Sequence, residues 1–348
     1  MEEKINVIFA SDNNYVPFLL ISIASLLENE HNFKSVNLYI LDDGISNENK
    51  GRINKLVNNY PASISFFKTK KLEEMDFNVL CLERNFEMTS FTTYARLFIS
   101  NLLPKDIDKI LYLDCDSIIL GSLKDFWLED ISDYYCAGVL DCINTSIKEG
   151  LGIQRGESYF NCGVLLINLK KWREDNVEDK FVKFLVDNQN RFYQHDQGVI
   201  NLVFKNQIKI VEPKYNLQAC FQFLEYGLAK KFSGMETEYY SKEIVNDSQE
   251  NPIFLHFCGL NYFRPWYNQN HPFFNEFEKY AKLVGCEDII DYSVKLPLKS
   301  RIFFWASTNK LGLLLLKLIP SSFVRFLGNR NALNALNEEN KKIRENFK

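Results

Sequence analysis

From residue 5 the chain alternates short apolar runs with amphipathic stretches. INVIFAS (5–11) is a β-rich apolar run that ends in SDNNY, a loop of turn formers and helix-capping residues. YVPFLLISIASLLENE (15–30) has helical spacing, and VNLYILDDG (36–44) is a second strand closing in a turn. Asn47 to Tyr60 patterns as an amphipathic helix and SISFFKT (63–69) as a third strand. This β-α-β-α-β order predicts a parallel sheet with helices on both faces. Such sheets bind ligands in a crevice at the carboxyl ends of their strands. Asp12, Asn13 and Asn14 follow the first strand and are expected there.

Further along, TTYARLFISNLLP (92–104) reads as a helix stopped by Pro104. KILYLDCDSIIL reads as the next strand, with YCAGVLDC (135–142) and YFNCGVLLINL (159–169) as others. Trp172 to Asn190 has the spacing of one long helix. QIKIVEP (207–213) and IFLHFCG (253–259) are short strands. There is no internal repeat and no low-complexity segment. A soft boundary falls near residue 285, dividing the chain into 1–285 and 286–348.

At 348 residues the chain is long for one core, which suggests a large domain with an appendage, or two small domains. Eight cysteines include no CxxC pair. The N-terminus MEEKINVIFAS carries no apolar signal region and no cleavage site. The expectation is a cytosolic protein with reduced thiols, not a secreted one. Net charge is −4, but Tyr292 to Lys348 holds eleven Lys or Arg against three Glu, a local +8 that leaves −12 on the rest. An acidic body with a basic tail points to an anionic surface as the tail's partner. No nucleic-acid partner is expected.

The candidate chemistry starts with LYLDCDSIIL (111–120). Asp114 and Asp116 stand two apart in an apolar run. If the strand continues, alternation puts both carboxylates on one face, within reach of one cation. The alternative is a strand end, where Asp and Ser cap a turn. Two like charges beside a core are costly unless a cation compensates them. His256, in FLHFCG, lies at another strand end. Two carboxylates and an imidazole suit Mn²⁺ or Mg²⁺ that also binds phosphate oxygens. His256 alone is equally a hydrogen-bonded core histidine. The thiols do not cluster by spacing, so structural zinc is not expected. No P-loop and no GxGxxG after the first strand occur, and GLGIQRG (150–156) has the wrong spacing for either.

FASDNNY, TTYARL, LYLDCDSIIL, YFNCGVLLINLKKW, HDQG and HFCG…RPW stand in the order seen in family-eight retaining glycosyltransferases. Over roughly residues 4–285 the chain resembles most the bacterial lipooligosaccharide α-galactosyltransferase branch. The resemblance implies an α/β GT-A fold: a Rossmann-like mixed sheet flanked by helices, forming a catalytic domain at 1–285. It implies that Asp114, Asp116 and His256 hold Mn²⁺, or alternatively Mg²⁺, against the diphosphate of a UDP-hexose. Ala10, Asp12, Asn14 and Tyr15 match the uridine segment, and the main chain at Cys115 a ribose contact. Arg96, Asp141, Asn161, Cys162, Asp196 and Gln197 match donor-sugar contacts.

The family pattern HxxGxxKPW departs here. After Gly259 there are two extra residues, and Arg264 stands where a phosphate-binding lysine is usual. An arginine still holds a phosphate, even bidentately, but with different reach. Gln197 and Asp196 are the implied catalytic pair. Retaining glycosidases place a carboxylate nucleophile beneath the sugar. Gln197 is an amide and a poor nucleophile, so a front-face path is expected. The implied reaction moves galactose or glucose from UDP to a surface-glycan acceptor: lipopolysaccharide, lipooligosaccharide, capsule or glycoprotein. The alternatives are a sugar-nucleotide-binding protein without turnover, or a sugar-nucleotide pyrophosphorylase, which would need a triphosphate loop.

The tail KLPLKSRIFFWASTNKLGLLLLKLIPSSFVRFLGNR (295–330) has seven basic residues and no acidic one. Its longest apolar run, Leu311 to Leu316, is too short to span a bilayer. Basic side chains among aromatic and aliphatic ones suit an amphipathic segment lying on anionic lipid, peripheral at the inner face of the cell membrane. The other reading is a helical pair packed on the domain or a dimer contact. The oligomeric state is not legible.

Overall fold

The structure, a computed structural model, describes residues 2–69, 91–188, 194–236, 239–259, 261–291, 293–294 and 297–324. β1 (Glu2–Asp12), β2 (Phe33–Asp43) and β3 (Ala62–Lys68) run parallel, joined by the helices Val16–Asn29 and Asn47–Val57, as the hydrophobic pattern predicts. β4 (Lys109–Leu113) extends the sheet in parallel on the other side of β1. β6 (Cys136–Leu140), β7 (Phe160–Asn168) and β8 (Ile208–Ile210) complete it in the order β3-β2-β1-β4-β7-β6-β8. β7 is antiparallel to both β4 and β6, so the sheet is mixed.

Both faces of this sheet are covered. In β4, Leu111 and Leu113 enter one core while Ile110 and Tyr112 enter the other. In β7, Val164 and Leu166 separate from Leu165 and Ile167 in the same way. Burial on both faces is why these strands read as unbroken apolar runs.

The run KILYLDCDSIIL is not one strand. The chain leaves the main sheet after Leu113 and enters a second sheet as β5 (Ser117–Ile119). There β5 pairs antiparallel with β10 (Phe254–His256), which pairs in parallel with β9 (Leu217–Gln218). The helix Val16–Asn29 serves the other edge of β5. The Ile119 amide donates to Ser25 Oγ (2.9 Å), and Asn29 Nδ2 donates to the Ile119 carbonyl (3.0 Å). The Ser22 and Ser117 hydroxyls meet at 2.9 Å. These polar residues in an otherwise apolar helix satisfy backbone groups that would be orphaned inside the core.

Two helix expectations change in detail. Residues 92–104 fold as Phe91–Ala95, a 3₁₀ turn Arg96–Phe98, and Ile99–Leu102. The single helix expected from Trp172 to Asn190 is two, Leu169–Glu174 and Val177–Asp187, broken at Asn176 with φ 48°. Asn tolerates this left-handed conformation better than most residues, which makes it a local stop. Asn190 lies outside the described residues.

At the C-terminus, Leu298–Thr308 and Lys310–Leu318 fold against each other, and Asn309 Oδ1 caps the second helix through the Gly312 amide (2.8 Å). The pair packs on the main body. Phe303 meets Phe232 edge-on at 5.2 Å, and Phe304 meets Phe223 at 5.8 Å. Lys231 Nζ donates to the Leu316 carbonyl at 2.9 Å. Of the two readings of the tail, packing on the domain describes residues 298–318. The outer face still leaves Leu298, Ile302, Trp305, Leu311 and Leu318 exposed. No helix of the described residues is long and apolar enough to cross a membrane. The described cysteines are all free thiols, and Cys81 lies outside the described residues.

The hairpin depends on a glycine. A Cβ at Gly312 would sit 2.3 Å from Ala306 Cα, a backbone atom that cannot step aside. Gly312→Val is expected to part the two helices, at a cost of about 1–3 kcal/mol. Limited proteolysis should then cut within 298–324 at least about fivefold faster than in the wild type, because cleavage follows the population of the open form.

Candidate functional site

The site is built where the two sheets part. The Asp114 amide donates to the Gly163 carbonyl (2.8 Å), closing the β4–β7 ladder. The Phe257 amide donates to the Asp116 carbonyl (2.9 Å), opening the β5–β10 ladder. Between them, the Ser117 hydroxyl donates to the Asp114 carbonyl (2.7 Å) and the Cys115 thiol to the Ala10 carbonyl (3.2 Å). The two carboxylates therefore converge because a bend is pinned at both ends. Strand alternation, the reason read from the sequence, does not apply.

His256 Nε2 lies 3.3 Å from Asp116 Oδ1 and 3.7 Å from Asp114 Oδ2. Potential ligand atoms of the three residues all fall within 4.8 Å of one another. His256 Nδ1 is 3.1 Å from Asn216 Oδ1, and Asn216 Nδ2 donates to Asn161 Oδ1 at 2.8 Å. This chain puts the ring proton on Nδ1 and turns Nε2 toward the carboxylates, as a ligating histidine needs. Burial opposes ionisation of His256, but Asp116, with its hydrogen bond, and Asp114 outweigh it and raise the imidazole. Burial likewise pushes Asp116 up, and His256 reverses this to hold it below the usual carboxylate range. A Cβ at Gly163 would stand 2.2 Å from His256 Cε1 and 3.0 Å from Asp114 Oδ2. The cradle thus exists only with glycine there. Two hard carboxylates and one oriented imidazole fit a small divalent cation.

Arg96 is buried beside this cluster. Its Nη2 donates to Asp114 Oδ1 (2.9 Å), its Nη1 to the Cys162 carbonyl (2.6 Å), and its Nε faces Asp196 Oδ2 at 2.7 Å. The guanidinium lies 4.2 Å over the Tyr112 ring, whose hydroxyl also donates to Asp114 Oδ1 (3.0 Å). A surface role for Arg96 is thereby excluded. Burial pushes the Asp196 carboxyl up to about 6, with Arg96 opposing. Asp196 and Gln197 open the helix His195–Val203, which is entered through Gln194 and His195 at φ 62° and 49°.

A third group hangs from Asp141. Asn161 Nδ2 (2.8 Å) and Gln197 Nε2 (3.1 Å) both donate to Asp141 Oδ2, and the Cys162 amide donates to Gln197 Oε1 (3.0 Å). Burial raises the Asp141 carboxyl against these hydrogen bonds.

All three groups line one cavity of about 1180 Å³. Every residue singled out from the sequence for this site lines it except Asn13 and Asn14, which are exposed. The Tyr15 amide donates to Asp12 Oδ1 (2.8 Å), which fixes the turn after β1. The Arg264 guanidinium lies 5.5 Å over Trp266, with its Nε buried and unpartnered among the described residues. Gly259 has φ +92°, which glycine alone adopts freely. Among the contributors that escaped the sequence reading are Gly163, Asn216, Tyr112 and Phe303. Gly163 sits inside the block FNCG and was visible as a motif position, whereas Asn216 and Phe303 carry no local pattern.

The model of glycosyl transferase family 8 matches residues 6–270. A lipopolysaccharide 1,2-glucosyltransferase of Escherichia coli is 30% identical over 271 residues, covering 76% of this chain and 74% of that protein. A lipopolysaccharide 1,3-galactosyltransferase of Salmonella typhimurium is 25% identical over 276 residues, covering 76% and 74%. A galactosyltransferase solved in complex with donor and acceptor sugar analogues shares the fold with a TM-score of 0.63. It is 24% identical and covers 85% of this chain and 99% of its own. This likeness carries the GT-A architecture.

Gly163→Ala is expected to weaken Mn²⁺ binding at least about tenfold in calorimetry, since the added methyl displaces His256. In the wild type, Mn²⁺ must compete with the raised proton on His256. Affinity should rise with pH through and above 6.5, with about one proton released per ion.

Proposed function

The chain belongs to glycosyl transferase family 8, and we propose that it is a metal-dependent retaining hexosyltransferase using UDP-glucose or UDP-galactose. The observation that carries this is the cluster Asp114, Asp116 and His256 opening into the same cavity as Asp141, Asn161 and Gln197. Carboxylates and an oriented imidazole suit a cation-bound diphosphate, and the amide-rich corner suits a hydroxylated sugar. The acceptor is a lipopolysaccharide-type surface glycan, a reading supported by the names of the two relatives.

Asp114, Asp116 and His256 would hold Mn²⁺ or Mg²⁺, which supplies positive charge to the leaving diphosphate. Arg264 lines the cavity and adds a guanidinium on the phosphate side. Ala10, Asp12 and Tyr15 at the end of β1 would receive the uridine, with the main chain at Cys115 beside the ribose.

The candidate nucleophiles are all occupied. Gln197 is tethered through both amide atoms, Asp196 faces Arg96, and Asp141 accepts from two amides. A double displacement needs a free carboxylate under the anomeric carbon. A front-face path is favoured instead: the acceptor oxygen attacks on the side the UDP leaves, and its proton passes to the departing phosphate oxygen. Gln197 and Asp196 serve as fixed dipoles and charge around an oxocarbenium-like state.

The exposed face of the C-terminal hairpin supports a membrane-surface reading. Leu298, Ile302 and Trp305 stand beside exposed Lys299, Arg301 and Lys310. Apolar anchors ringed by cations suit an anionic lipid surface, which supports reading the enzyme as peripheral at the inner face of the membrane.

Mn²⁺-dependent release of UDP from a panel of UDP-hexoses, with retained anomeric configuration in the product, tests the reaction. Asp116→Ala should lower turnover at least about 100-fold without moving the melting temperature by more than a few degrees. A glycosyl adduct trapped on Gln197 or Asp196 would refute the front-face path. The combined change Leu298→Ser, Ile302→Ser and Trp305→Ser should abolish flotation with phosphatidylglycerol vesicles, and unchanged flotation would refute the membrane contact.

A further inference from the structure

The cavity has two unlike halves. Charge and amides concentrate on one: the aspartates, His256, Arg96, Asn161 and Gln197. The other gathers the rings of Phe232, Tyr262, Phe263 and Phe303, which touch one another, with Arg264 the neighbouring charge along the chain. Phe303 does not come from the catalytic fold. It comes from the helix Leu298–Thr308, whose other flank is exposed at Ile302 and Trp305. Phe303 meets Phe232 edge-on at 5.2 Å and Tyr262 edge-on at 5.9 Å, and all three are only partly buried. An edge-to-face contact engages one face of one ring only, so other ring faces remain for an occupant of the cavity.

A UDP-hexose needs the charged half, so the aromatic half is left for the second substrate. Aromatic faces are electron-rich. A hexopyranose offers them a patch of C–H bonds on the face of its ring, while its hydroxyls point outward to polar groups and water. We infer that the C-terminal helix supplies one wall of the acceptor subsite, with Phe303, beside Phe232 and Tyr262, as a platform for an acceptor hexopyranose ring. This rests on the transferase reading above. It makes residues 298–308 part of the specificity apparatus as well as a surface attachment.

The test measures Mn²⁺-dependent hydrolysis of UDP-hexose and transfer to methyl α- and β-gluco- and galactopyranosides, in the full chain. Phe303→Leu keeps bulk but removes the ring face. Its ratio of transfer to hydrolysis should fall about tenfold, through a raised KM for the glycoside, while the KM for UDP-hexose moves less than about twofold. Phe303→Tyr should restore the ratio. Three results would overturn the platform: Phe303→Leu transferring like the wild type, hydrolysis and transfer falling together, or a wild type that hydrolyses UDP-hexose but glycosylates none of the glycosides. A wild type that turns over no UDP-hexose at all would overturn the transferase reading itself.

Discussion

Two carboxylates held close together in a largely buried place are the constraint to which the surrounding structure answers. Unit charges at the 4.8 Å limit of the Asp114–Asp116–His256 cluster repel by roughly 3 kcal/mol at an effective dielectric of about 20. That is a large share of a typical folding stability. Arg96 compensates one side by bridging Asp114 and Asp196, and His256, whose imidazole the two carboxylates raise, faces the other. A divalent cation would replace the His256 proton and answer both carboxylates at once.

The backbone makes this possible. Asp114 ends one ladder and Asp116 begins another, so the pair occupies the three-residue gap between two sheets. A bend there would normally be mobile. It is pinned by Ser117, by the Cys115 thiol on Ala10, and by the serines of the helix Val16–Asn29 on the edge of β5. Gly163 then leaves room for His256 where any side chain would displace it. Rigidity in this site comes from hydrogen bonds to main chain, which do not depend on the charge state of the carboxylates.

The C-terminal hairpin joins surface to chemistry. Its inner flank reaches the cavity through Phe303, and its outer flank carries exposed apolar and basic residues. The core does not stop at residue 285. Buried Cys286, Ile290, Ala306 and Leu316 continue the core beyond it.

Much was legible in the residues. Apolar spacing placed β1 to β3 and their helices, because periodicity is a local consequence of which face is buried. The ordered blocks placed most of the charged residues that line the cavity, including His256, far in sequence from Asp114. Local pattern had no means of showing that KILYLDCDSIIL changes sheets. The apolar residues on either side of the break look alike, and sheet membership depends on hydrogen-bond partners over 40 residues away, in β7, or over 130, in β10. For the same reason Asn216 and Phe303 stayed hidden, since each acquires its role from what the fold sets opposite it. The sequence alone determined the kinds of groups at this site and their order along the chain. Only the tertiary structure decided that Asp114 and Asp116 converge by a bend and not by strand alternation, and that a tail residue closes the cavity, because both follow from contacts between segments that no local pattern links.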